Sequence, residues 1–323
     1  MEGIKHSIVK VNGINMHVAE KGQGGGGEGG GQMVLFLHGF PELWYSWRHQ
    51  LHHFAALGYR AVAPDLRGFG DTDAPDDVSA YTCLHVVGDL VELVRSLGAD
   101  KVLLVGHDWG AIIGWYFCLF RPDVVAAFVC ISVPFRQRHP AVKPVEGMKA
   151  LFGEDYYVCR FQEPGEIESE IARYGSEKVM RKIFTDRSPG PACLPKENPF
   201  QISTDEPELP SWLSEQDLRY FASKYGDAKG FTGGLNYYRA FNLNWELTAA
   251  WTGAQVRVPV KFMVGSVDLV YTTPGVKEYV HNGLKRDVPL LQEVVVIHGA
   301  AHFLNQERPH EVNHHIHDFF KNF

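Results

Sequence analysis

The sequence predicts an α/β fold: a mostly parallel eight-stranded sheet with helices on both faces, interrupted by an inserted, mainly helical cap. Three observations carry this expectation. The runs MVLFLH (33–38), RAVAP (60–64), KVLLVG (101–106), VVAAFVCIS (124–132), VKFMVG (260–265) and EVVVIHG (293–299) are continuously apolar, as parallel strands covered on both faces are. Segments of helical length and spacing lie between them, such as SWRHQLHHFAALG, which stops at Gly58, and LHVVGDLVELVRSLG, which stops at Gly98. The alternation lapses near Pro134 and resumes near Val258, and the stretch between is rich in Pro, Tyr and Trp with helical but few strand-like patterns.

Taken in order, residues 7–20 alternate apolar and polar side chains on either side of Asn12-Gly13, which predicts two further strands joined as a hairpin. Eight glycines between Gly22 and Gly31 then leave the backbone too free for a regular element. With no GKS or GKT and no GxGxxG opening a helix, this segment reads as a surface loop and not as a phosphate cradle. The expected division is 1–133 for the first part of the core, 134–250 for the helical cap and 251–323 for the rest of the core. In the closing RPHEVNHHIHDFF, His310 and His314 stand four apart, and the expectation is a terminal helix with a polar face and no metal.

Composition narrows the function classes. Hydrophobic residues make up 45% and charged residues 21% of the chain, enough apolar material for a large core. Lys plus Arg (31) against Asp plus Glu (38) gives a net charge of −7, so no broad basic surface exists for nucleic acid. The five cysteines, Cys83, Cys118, Cys130, Cys159 and Cys193, include no CxxC pair and read as free thiols in a reducing compartment. No run approaches the roughly 18 to 20 apolar residues of a membrane span. The N-terminus lacks an apolar signal core and the C-terminal KNF is not an SKL-type address, so a cytoplasmic location is expected.

The chemistry concentrates in KVLLVGHDWGAIIGWYFCLF. A buried strand ends at Gly106, glycine recurs at Gly110, and an apolar helix follows at once, with Asp108 at the apex. Small residues two before and two after the apex are what a sharp strand-to-helix nucleophile elbow needs, usually with Ser in the middle. An Asp could merely cap the helix. As a nucleophile, however, it is ionised at neutral pH and can attack a saturated carbon without a base. The product is an ester on Asp108 itself, so a second step needs water activated by a histidine. EVVVIHGAAHF supplies His302 after a strand, and VKFMVGSVDLV supplies Asp268 after another. One histidine among 16 says little alone, and Asp268 alone could be a turn residue, but the order Asp108, Asp268, His302 is nucleophile, acid, histidine. The strand running into His38-Gly39-Phe40-Pro41 would present the Phe40 N–H beside the elbow, completing an oxyanion hole with the Trp109 N–H. DLRGFGDTDAP, with Arg67, reads as a structural turn.

GHDWGA, HGFPELWYSWRHQ, APDLRGFGDT, RFQEPGE, GLNYYRAFNLNWELTAAWTG, FMVGSVDLVY and AAHFLNQERPHEV together make the chain resemble plant-type soluble epoxide hydrolases of the α/β-hydrolase superfamily over nearly its whole length. The resemblance implies the α/β-hydrolase fold, Asp108 as nucleophile, His302 as base and Asp268 as its acid partner. It adds two cap tyrosines that hold and protonate the epoxide oxygen, at Tyr157 and Tyr238 if RFQEPG and the following Arg set the register, with Tyr156 and Tyr237 as the adjacent alternatives. A phenol of pKa about 10 suits that task because it stays protonated at neutral pH. Glu42 and His107 match positions that line a water network. The glycine-rich 22–31 departs from the resemblance, since members of that family usually have a much shorter turn there.

The implied activity is cofactor-independent and metal-free conversion of an epoxide and water to a vicinal diol, with small molecules as partners and a monomer or homodimer as the assembly. Cap residues such as Phe152, Trp212, Leu213, Phe231 and Phe241 are expected to line an apolar pocket for fatty-acid or aryl epoxides. Haloalkane dehalogenases share the Asp elbow but need halide-binding N–H groups in place of the phenols, and hydrolase-like receptors usually keep a Ser nucleophile.

Overall fold

The structure, a computed structural model, describes residues 2–22, 29, 31–203, 206–226 and 229–323. The glycine-rich reading of 22–31 therefore lies largely outside the described residues.

The N-terminal strands β1 (Lys5–Val11) and β2 (Ile14–Lys21) pair antiparallel. Asn12 and Gly13 between them both take positive φ, 43° and 83°, which a two-residue hairpin turn requires. Six more strands follow: β3 (Met33–Leu37), β4 (Arg60–Pro64), β5 (Val102–His107), β6 (Val125–Ile131), β7 (Val260–Gly265) and β8 (Leu291–Ile297). They form one sheet in the order β1-β2-β4-β3-β5-β6-β7-β8. β2 meets β4 antiparallel, and every pairing from β4 to β8 is parallel. β3, β5 and β7 are buried along their whole length, Lys261 of β7 included, as their mostly apolar content demands. β8 differs from the expectation of a fully buried strand: it is the sheet's edge, and Gln292, Glu293 and Val296 are exposed. An outermost strand has a neighbour on one side only, so continuous hydrophobicity overstates its burial.

Helices α1 (Arg48–Ala56), α2 (Cys83–Ser96) and α3 (Trp109–Phe120) connect the strands. The first two end where the sequence places glycine, with φ of 89° at Gly58 and 76° at Gly98. Between β6 and β7 the chain forms α4 (Pro144–Phe152), α5 (Tyr157–Arg160), α6 (Glu166–Tyr174), α7 (Ser176–Thr185), α8 (Glu215–Tyr225), α9 (Lys229–Arg239) and α10 (Phe241–Leu247). Among the described residues of this stretch, β pairing is limited to one bridge between Tyr156 and Cys193. Two buried phenols tie these helices to the sheet's loops: Tyr225 donates to the Glu42 carbonyl (3.0 Å) and Tyr237 to the Arg67 carbonyl (2.9 Å). Arg67 itself is clamped by Asp89 of α2 through bonds of 2.6 and 2.8 Å, which fixes the turn after β4. No helix among the described residues is long and apolar enough to cross a membrane. Cys83, Cys118 and Cys130 are buried free thiols.

Candidate active site

Asp108 sits between β5 and α3 with φ 52° and ψ −117°, a conformation non-glycine residues rarely adopt. The elbow is possible because its surroundings leave no room for side chains. A Cβ on Gly106 would strike the Gly110 carbonyl, one on Gly110 the Leu37 carbonyl, and one on Gly39 the Asp108 side chain. The Asp108 side chain does not cap α3, which argues against a purely structural role. Its Oδ1 instead accepts the Phe40 N–H at 2.7 Å. The Trp109 N–H opens α3 and so has no carbonyl partner within the helix. Burial works against the charge on Asp108, but the hydrogen bond and charge of His302, with His107 and the Phe40 N–H, hold its carboxyl below the usual range.

The two other predicted members converge on it. Asp268 follows β7 and caps the short helix α11 (Leu269–Thr272), its Oδ1 accepting the Val270 N–H at 2.7 Å. Its Oδ2 lies 3.1 Å from Nδ1 of His302, and Nε2 of His302 lies 3.5 Å from Oδ2 of Asp108. Burial favours a neutral His302 ring, yet the carboxylates of Asp268 and Asp108 raise it well above its ordinary value. Asp268 is fully buried and is nevertheless held below the usual range by the charge and hydrogen bond of His302, with bonds from Ser132 and the Val270 N–H. Ser132 is a residue that the sequence reading missed. Its Oγ is 3.2 Å from Nδ1 of His302, and the available signal was its place at the end of β6, beside the ends of β5 and β7.

Glu42 and His107 lie beneath this group, both fully buried and outside the cavity wall. Glu42 Oε2 meets His107 Nδ1 at 2.7 Å and the Gly39 N–H at 3.1 Å, while Oε1 accepts from Gln306 at 3.0 Å. The other nitrogen of His107 reaches the His302 carbonyl at 2.7 Å. Burial opposes the Glu42 charge, but His107 beside it keeps the carboxyl below the usual range.

A cavity of about 360 Å³ is lined by Asp108 and His302 together with Tyr157 of α5 and Tyr238 of α9. Their rings stand edge to face with centroids 5.8 Å apart. Burial, joined by neighbouring charges including Asp108, pushes both phenols well above their ordinary value, so they remain proton donors. The adjacent alternatives face elsewhere: Tyr156 packs on Phe152, and Tyr237 points into the core toward Arg67. The expected lining is corrected. Phe152, Trp212, Leu213, Phe231 and Phe241 do not bound this cavity, whose apolar wall includes Phe161, Leu194, Phe200 and Phe303. Phe231 and Leu213 are core residues, Trp212 packs on Phe184 and Phe303, and Phe241 packs on Trp109. Large aromatics in a small helical layer go first to the interior of that layer.

Among the described residues, His17, Asp65 and Asp71 could bring metal-ligating atoms within 4.8 Å of one another. Asp65 is already engaged by His17, the Trp44 N–H and the Asp71 N–H. His310 and His314 are exposed on the helix Pro309–Phe320.

Residues 32–165 match the family model described as alpha/beta hydrolase fold. Over its full length the chain is 56% identical to Epoxide hydrolase 3 of Siraitia grosvenorii, covering 100% of both proteins. It is 38% identical to Epoxide hydrolase A of Mycobacterium tuberculosis over 94% of each. The crystal structure of an epoxide hydrolase from Vigna radiata superposes with a TM-score of 0.92 at 58% identity, covering 100% of this chain and 99% of that one. A variant of the epoxide hydrolase from Solanum tuberosum gives 0.92 at 56% identity, over 99% and 100% respectively. With the elbow aspartate, the facing histidine and the paired phenols in one cavity, this likeness along the entire sequence means that the chain belongs to the epoxide hydrolases of the α/β-hydrolase fold.

Proposed function

We propose that this protein hydrolyses small-molecule epoxides to vicinal diols through an ester on Asp108. The observation that carries the reading is the cavity in which the ionised Asp108 faces Tyr157 and Tyr238 and is flanked by His302. An Asp108 oxygen attacks an oxirane carbon, the C–O bond of the ring breaks, and the departing oxygen takes a proton from Tyr157 or Tyr238. Esterification removes the Asp108 charge, one of the two that hold the His302 ring protonated. His302 then releases its proton, which restores the phenol through solvent, and becomes a base. In the second step Nε2 of His302 takes a proton from water, hydroxide adds to the Asp108 carbonyl carbon, and the Phe40 and Trp109 N–H groups receive the oxyanion. Collapse breaks the ester bond, the diol leaves, and Asp108 and His302 return to their starting charges.

In this reading Asp268 orients His302, Glu42 and His107 support the water side of the site, and no cofactor or metal takes part. Residues 134–250 form the cap and 1–133 with 251–323 the core. The cap then carries the phenols and the core carries the nucleophile and base. The location is cytoplasmic, and substrates are apolar epoxides of fatty-acid or aryl type. A parallel assay with styrene oxide, an epoxy fatty acid and a bromoalkane tests the activity. Diol without bromide is expected; bromide without diol would make the protein a dehalogenase.

A further inference from the structure

We infer that Ser132 is a positioning residue for the second half of the reaction: its hydroxyl ties Asp268 to Nδ1 of His302, so that Nε2 stays turned toward Asp108. The inference rests on the epoxide-hydrolysis reading above and concerns a side chain to which that reading gives no task. Nδ1 of His302 faces two oxygens at nearly equal range, Asp268 Oδ2 at 3.1 Å and Ser132 Oγ at 3.2 Å. A hydroxyl can accept from an N–H and donate to a carboxylate at the same time, which no apolar side chain of similar size can do. The same hydroxyl helps to hold the Asp268 carboxyl below its usual range. With Asp268 Oδ1 committed to the Val270 N–H, the carboxylate is held at both ends.

The backbone around Ser132 is built to aim this hydroxyl. Ser132 is 1% exposed and takes φ 80°, a left-handed conformation that costs free energy for any residue but glycine. Its N–H donates to the Met263 carbonyl of β7 at 2.9 Å, so the pairing of β6 with β7 sets where the side chain points. Strain kept at a buried position that a glycine would relieve is expected where the side chain itself is needed. The task is specific to the second step because only there must Nε2 take a proton while Nδ1 keeps its own.

Two substitutions separate the hydroxyl from the backbone. Ser132→Gly removes the hydroxyl and relieves the strain, whereas Ser132→Asn tolerates positive φ and returns a donor and an acceptor. Rapid-mixing measurements on the full-length protein with an epoxide would follow ester formation and ester hydrolysis separately, and steady-state kcat would be followed against pH. For Ser132→Gly the expected result is hydrolysis slowed about ten-fold more than ester formation. The acid limb of kcat should also move to lower pH, because in the ester state the imidazolium faces only His107 and a less firmly held Asp268 and gives up its proton more readily. Ser132→Asn should recover most of the hydrolysis rate. Ester hydrolysis by Ser132→Gly at the wild-type rate would overturn the inference. So would equal slowing of both steps with an unmoved pH profile, or an Asn variant as slow as the Gly variant. A wild-type protein that forms no diol would remove the hydrolysis reading itself, a separate and recognisable outcome.

Discussion

At the scale of single residues the division of labour makes distinct forecasts. His302→Gln keeps the nucleophile and loses the base, so ester should form and then persist, its hydrolysis slowed about 100- to 10,000-fold. Intact-mass spectrometry should find one adduct per chain, and unmodified protein throughout, with an epoxide that the wild type turns over, would refute the assignment. Tyr157→Phe and Tyr238→Phe each remove one donor to a developing alkoxide and should slow ester formation about ten- to a hundred-fold, with the double variant slower than either. Stopped-flow fluorescence on the three variants decides this; an unchanged rate in the double variant would return both phenols to packing. Asp108, Asp268 and His302 were legible because each follows a strand, and strand ends converge at one edge of a parallel sheet. Ser132 was not, because a serine after an apolar run carries no chemical signature until its hydroxyl is known to lie 3.2 Å from a histidine nitrogen. The side chains expected to line the pocket misled for a related reason. Composition tells that Phe231 and Leu213 are buried but not whether they face the cavity or the interior of their own layer.

At the scale of elements the site depends on close backbone approach. The loop after β3 passes so near the elbow that a methyl group on Gly39 would overlap the Asp108 side chain. Gly39→Ala should therefore displace the nucleophile from the Phe40 N–H and slow ester formation at least about 100-fold, the usual cost of an ångström of misplacement. Circular dichroism would report whether the strands survive, and near-wild-type single-turnover rates would show that the loop can yield. The strands themselves were readable from their apolar runs, down to the hairpin at Asn12-Gly13, since burial on both faces leaves little choice of residue. β8 was read as fully buried and is not, because an edge position is a property of strand order.

For the whole molecule, acid should weaken the fold before the carboxylates titrate. His38 is fully buried and accepts the Leu66 N–H at Nε2, and burial lowers its value; His49 is lowered to about 4 and His53 is lowered as well. As pH falls below about 6.5 the unfolded chain takes up protons that these rings refuse in the fold, so stability declines from there downward. His302 does not offset this, because its raised value contributes stability that is complete below about 6.5 and is lost only as pH rises through the folded value. The depressed values of Glu42, Asp108 and Asp268 add a second loss below about pH 4. Calorimetry between about pH 7 and 4.5 should show Tm falling steadily, and a flat Tm would contradict the histidine argument. The long-range anchoring of α9 has a consequence of its own. Tyr237 and Tyr238 are neighbours on one helix, about 100° apart around its axis, the first bonded to the Arg67 carbonyl and the second facing Asp108. The reach of the Tyr238 phenol is thus gauged from the sheet through its neighbour on the same helix. A helical segment transplanted from a relative to change which oxirane carbon is opened would keep Tyr238 in register provided that this tether and the turn receiving it travel together.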